Sequence, residues 1–153
     1  MGDTFANIIT ILIAIFAIYF AEWLRLRNER KNIIDATLNE IVHNLLHGKS
    51  IITALNSQDV PLMKFKTNYD IEIKKFFNIK KIAHISIAYY QLDFTNEFID
   101  EYNQSIFEEK NTKMVLAREQ IKTNILDKKN GLIVLLQIAK EEINNIKKDY
   151  HYN

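Results

Sequence analysis

The twenty residues FANIITILIAIFAIYFAEWL, numbers 5 to 24, contain no lysine or arginine and one carboxylate, Glu22, near their far end. A helix of ~20 residues spans the ~30 Å hydrocarbon core of a bilayer, and one that is apolar on every side must be covered by lipid or by a protein interior. As a secretory leader the stretch has inverted flanks. Asp3 stands in MGDTF where basic residues belong, and Arg25, Arg27, Arg30 and Lys31 come after the apolar run, against the single acid Glu29. The pattern predicts a transmembrane helix over 5–24. The positive-inside rule then puts a short N-terminus outside and residues 25–153 in the cytoplasm, as a single-pass protein of the cytoplasmic (inner) membrane. Trp23, with Tyr19, suits the headgroup level, and Arg25, Arg27, Arg30 and Lys31 form the membrane interface, where they also suit anionic lipid.

Beyond the span the chain reads as helix. With 3 Gly and 1 Pro in 153 residues and 48% hydrophobic content, it has few places to turn, and its length fits one domain beyond the anchor. In NIIDATLNEIVHNLL, Ile34, Leu38, Ile41 and Leu45 occupy a and d of two heptads, with Ile33, Val42 and Leu46 widening the stripe. The helix is expected to continue from the membrane to about Asn56, where NSQDVPL and Pro61 break it. The middle is ambiguous: NYDIEIKKFF and AHISIAY alternate like the strands of a hairpin, although a helix through Tyr89, Leu92, Ile99, Tyr102 and Ile106 fits the period better. Asn96 and Asn103 fall within that stripe, either buried and hydrogen-bonded or at its wet edge. Met114, Ile121, Ile125, Leu132, Leu136, Ala139, Ile143, Ile146 and Tyr150 keep one line, which predicts a single helix over about 111–150 with Asn130–Gly131 as its one weak place.

The expected fold is therefore all-α: a transmembrane helix continuing into a cytoplasmic antiparallel bundle of about three long helices, residues 25–153. In this topology the second helix returns towards the membrane, so the loop near 108–112 approaches it. AEWLRLRNERK followed by LNEIVHNL resembles the start of small single-span bacterial and archaeal membrane proteins of unknown function, in which a membrane helix passes through Trp and mixed charges into an apolar heptad. The resemblance covers residues 5 to 48 and implies topology alone; it carries no activity and no catalytic positions.

Chemistry is sparse. Net charge is +1, from 20 basic and 19 acidic residues, so no nucleic-acid partner is expected. Zero cysteines exclude disulfides, thiolate nucleophiles and cysteine metal sites. No Gly-rich phosphate loop, G-x-S-x-G or H-E-x-x-H occurs, and no Arg precedes a His at the spacing of HEPN-type ribonucleases. The best metal candidate is Glu40, His43 and His47, with the Glu-x-x-His spacing of di-iron bundles. That face lies opposite the apolar stripe and no second Glu-x-x-His completes a set, so a solvated face is expected, with no metal and no cofactor. His84 reads as a partly buried bundle residue and His151 as part of a frayed tail.

Within the span, Ala6, Thr10, Ala14, Ala17 and Ala21 recur every three or four residues, a small-residue stripe along which membrane helices approach closely. Together these features describe a membrane-anchored helical interaction or scaffold protein without catalytic activity. Its expected partners are the lipid bilayer, an unidentified cytoplasmic protein and, through the stripe, further copies of itself. The competing reading is an oligomerising membrane-active effector, toxin-like or an antiviral accessory protein.

Overall fold

The computed structural model describes residues 2–57, 59–108 and 111–152, with side chains for 7–57, 59–108 and 111–150. All regular structure is helical: α1 (Gly2–Ser57), α2 (Asp70–Phe76), a 3-10 turn (Ile79–Lys81), α3 (Ala83–Phe107), α4 (Asn111–Leu126) and α5 (Leu132–Tyr152). No strand occurs among the described residues, so the hairpin alternative is not realised: NYDIEIKKFF supplies α2 and AHISIAY opens α3. The chain divides into two compact units, Met1–Asn32 and Ile33–Asn153, and α1 belongs to both.

In the first unit α1 is long and apolar enough to cross a membrane, and none of its most apolar stretch is buried by the rest of the chain. Its aromatic side chains form a ladder on one face, Phe16 on Phe20 (6.1 Å between centroids) and Phe20 on Trp23 (5.8 Å), closed by the Arg27 guanidinium 5.3 Å above the Trp23 ring. Arg25 bridges Glu22 and Glu29 one turn away on either side. Such i,i+3 and i,i+4 pairs satisfy the charges locally where the apolar run ends.

The second unit has one core. From α1 it takes Ile34, Thr37, Ile41, Asn44, Gly48, Ile51 and Leu55, all buried at spacings of three and four. The seam is rotated by ~50°, at 100° per residue, from the expected Ile34, Leu38, Ile41 and Leu45 line, so that Leu38 and Leu45 are only half-buried. The cause is the path of the chain after Ser57. Instead of a short loop into an antiparallel neighbour, residues 59–69 run back down the groove between α1 and α3 as a non-helical strap. Leu62 and Phe65 point into the core, while Met63, Lys64 and Lys66 face out.

The strap changes the topology. Lys66 lies beside Asn44 and Met63 beside His47 on α1, while Phe65 lies beside Asn96 and Leu62 beside Asn103 on α3. The strap thus descends along both helices, and α1 and α3 run parallel to each other. The expected return of the second helix is carried by the strap instead. The end of α3 therefore lies with the end of α1, so Glu108 and the first turn of α4 sit at the end of the unit farthest from Ile33; the expected 108–112 loop falls partly on residues 109 and 110, which are outside the described residues. The antiparallel partner of both helices is the α4–α5 pair. Arg118 pairs with Asp59, Gly48 approaches Ile125 and Lys147 pairs with Asp35 (2.6 Å), so α4–α5 descends as α1 ascends.

The expected single helix over 111–150 is two. Asp127 ends α4, its Oδ1 accepting from the N–H groups of Lys129 (2.7 Å) and Asn130 (2.9 Å) and its carbonyl accepting from the Gly131 N–H (3.0 Å). These N–H groups, Asn130's foremost, hold the Asp127 carboxyl below the usual carboxylate range. A Cβ on residue 131 would lie 2.4 Å from the Asp127 carbonyl oxygen, so only glycine allows this approach. The Gly131 carbonyl then accepts from Leu135 N–H (3.0 Å) and the helix resumes, which is why the apolar phase survives the interruption.

Candidate functional site

The most organised polar cluster in the second unit surrounds the strap. An extended segment has no internal hydrogen bonds, and buried peptide groups left unpaired are costly, so a strap without a neighbouring strand needs partners from side chains. Three asparagines supply them, each donating and accepting at a single strap residue. Asn103 accepts from Leu62 N–H (2.7 Å) and donates to its carbonyl (2.9 Å); Asn96 does the same at Phe65 (2.8 and 3.1 Å), and Asn44 at Lys66 (3.1 and 2.7 Å). The registers agree: seven helical residues from Asn96 to Asn103 rise ~10.5 Å, and three extended residues from Phe65 to Leu62 span ~10 Å.

Glu40 closes the lower end. Its carboxylate, in a residue only 5% exposed, accepts from Asn68 N–H (3.2 Å), Tyr69 N–H (3.3 Å) and the Tyr89 hydroxyl (2.9 Å). Burial first, and then the adjacent Glu40 charge, push the Tyr89 phenol well above its ordinary range, so it acts as a donor throughout the physiological range. At the upper end His47 Nε2 donates to the Met63 carbonyl (2.8 Å), because a carbonyl can only accept, and its ring meets Phe65 edge-on at 5.2 Å.

This corrects the expectation that the Glu40, His43 and His47 face is solvated. The strap covers Glu40 and half of His47, while His43 stays exposed and stacks on His47 at 6.1 Å. The three do not converge as ligands, since Glu40 faces peptide N–H groups and His47 a carbonyl; no acid–histidine group able to hold a metal occurs among the described residues. His84 is exposed rather than partly buried, its Nδ1 meeting Glu142 Oε1 at 3.1 Å, and the same carboxylate accepts from Ile85 N–H at the start of α3. His151 and Ala6 have side chains outside those described. Thr10, Ala14, Ala17 and Ala21 are exposed along one line of α1, about 120° round the helix from the Phe16, Phe20 and Trp23 ladder. Of the interface set, Trp23, Arg25, Arg27 and Lys31 are exposed and Arg30 is partly covered.

With its inner face committed to strap and core, α3 leaves another face open. Ile87, Tyr90 and Phe94, at 49%, 72% and 38% exposure, keep helical spacing and meet Phe98 through an edge-on ring contact of 5.0 Å. Asp93, Glu97 and Glu101 border them, and α3 contains no lysine or arginine. A cleft of ≈ 450 Å³ continues this face onto α4, past Phe98, Ser105, Leu116 and Ala117. Aromatic side chains are enriched at protein interfaces relative to the rest of a protein surface. Phe94 and Phe98, four residues apart, form an apolar row off the main stripe of α3, and Ile87 and Tyr90 extend it. Comparison of the chain with protein-family models, curated proteins and solved structures finds no match.

Proposed function

We propose that the protein is a membrane-anchored interaction module. Its α1 is held in a bilayer over residues 5–24, its helical unit lies on the cytoplasmic side, and its α3 face binds a protein partner without catalysing a reaction. The observation that carries this reading is an apolar helix left wholly uncovered by its own chain, joined to a unit with a complete core of its own. The polar groups of that unit support binding over catalysis, since Glu40, Asn44, Asn96 and Asn103 are engaged in holding the strap. The row Ile87, Tyr90 and Phe94 would meet an apolar surface carrying basic residues, which the acidic border favours.

The test is a photo-crosslinking residue at Tyr90 of the full chain in native membranes, compared with one at exposed Lys140. A discrete heterologous adduct from position 90 only, reduced at least about tenfold by Phe94→Glu, is the expected result for an interface anchor. Equal, diffuse labelling from both positions would refute the interaction face. Overproduction should leave the membrane potential intact; depolarisation would favour the membrane-active effector instead.

A further inference from the structure

The end of the second unit at which the chain enters carries a feature that neither the core nor the strap uses. After the strap passes Glu40, α2 and the 3-10 turn make a corner before α3 begins. Ile73 and Phe77 anchor this corner in the core, and Phe77 meets the Tyr150 ring edge-on at 5.7 Å. Lys147, one turn before Tyr150, pairs with Asp35, so the corner sits at the same end of the unit as Ile33. Its outward side chains are Ile71 (68% exposed) and Ile79 (57%), with Lys74, Lys75, Lys80 and Lys81 around them. Asp70 and Glu72 pair with Lys74 and Lys75, at 2.6 and 2.7 Å. Lys80 and Lys81 make no ion pair among the described residues; Lys81 lines a cleft with Glu142 and Asp149, while the exposed rim at Ile79 and Lys80 stays basic.

Exposed isoleucines beside lysines suit a headgroup layer, where apolar side chains enter the acyl boundary and lysines meet phosphate. The tether brings that layer within reach. Only residues 25–32 separate Leu24 from Ile33, at most ~30 Å of chain, whereas the opposite end of the unit lies a further ~37 Å away along α3. We infer that the α2 corner docks on the anionic surface of the membrane that holds α1, through Ile71, Ile79, Lys80 and Lys81. This rests on the membrane-anchored reading and adds a second, charge-dependent contact that would fix how the α3 face is presented.

The chain has no cysteine, so single-cysteine spin labels are unambiguous. Full-length protein carrying Ile79→Cys or Ile13→Cys is reconstituted into phosphatidylcholine vesicles with and without 30% phosphatidylglycerol, and collisions with oxygen and with a soluble nickel chelate are compared. The label at 13 should be lipid-exposed in both. The label at 79 should become lipid-exposed only with the anionic lipid, the two unpaired lysines shifting the docked-to-undocked ratio about 30-fold. Lys80→Glu with Lys81→Glu should return it to water while circular dichroism stays unchanged. A label at 79 that remains aqueous with the anionic lipid overturns the docking and leaves the anchor standing. One that is shielded equally in both lipids, or despite the double substitution, overturns it in favour of a protein contact. An aqueous label at 13 overturns the anchor itself, and the docking with it.

Discussion

Residues 59–69 and residues 127–131 both interrupt a helical path. The first interruption is held by side chains 16 to 41 positions away, and the second by one aspartate and one glycine inside it. The strap reverses the chain and decides which helices run parallel, whereas the turn at Asp127 only separates α4 from α5 and keeps the apolar phase. The contrast teaches where fold information resides. A local break needs a local signal and leaves topology intact; a break stabilised from afar rewrites topology while its own residues look like an ordinary loop.

The sharpest way to break this contrast is Glu40→Ala. It strips partners from two part-buried peptide N–H groups and the buried Tyr89 hydroxyl at once, and should cost about 3 kcal/mol. Denaturant unfolding of the full chain in micelles, followed by far-ultraviolet circular dichroism, measures it; a loss below half that value would mean that the asparagines and the buried Leu62 and Phe65 hold the strap without Glu40. Asn96→Ala comes next, at about 2 kcal/mol, because a donor and an acceptor of Phe65 are both orphaned. Hydrogen exchange should quicken across residues 60–69 and stay unchanged across 120–135. Gly131→Ala is the local counterpart, at about 1.5 kcal/mol for a Cβ forced against the Asp127 carbonyl. Its faster exchange should be confined to the α4–α5 junction, and equal loosening of the strap would show that the two interruptions are not independent.

This division explains how much was legible in the sequence. The long apolar helix, the end of α1 and the helical nature of the rest come from period and from Pro61, all features of short range. Asn130–Gly131 marked the weak place in the last helix, and Asp127, three residues earlier, turned the mark into a break. The parallel run of α1 and α3 was hidden, because it depends on asparagine amides matching peptide groups of a segment with no periodicity. Asn96 and Asn103 did show as polar residues inside an apolar stripe, with burial and hydrogen bonding one of two open readings; their partner was invisible. The same strap explains the misread face of Glu40, which lies opposite the Leu38 and Leu45 edge and looks solvated until another segment covers it.

Order of synthesis adds a constraint of its own. The strap leaves the ribosome well before Asn96 and Asn103, and Lys147, which pairs with Asp35 at the unit's first turns, is made later still. The strap and α1 therefore cannot complete their contacts before α3 and α5 have been made. α1 must wait with an uncovered groove until α3, and then α5, have been released, because long-range contacts form only after the intervening chain exists. A nascent protein of this design is most exposed to capture by chaperones, proteases or neighbouring chains in the interval between translating Tyr69 and translating Lys147.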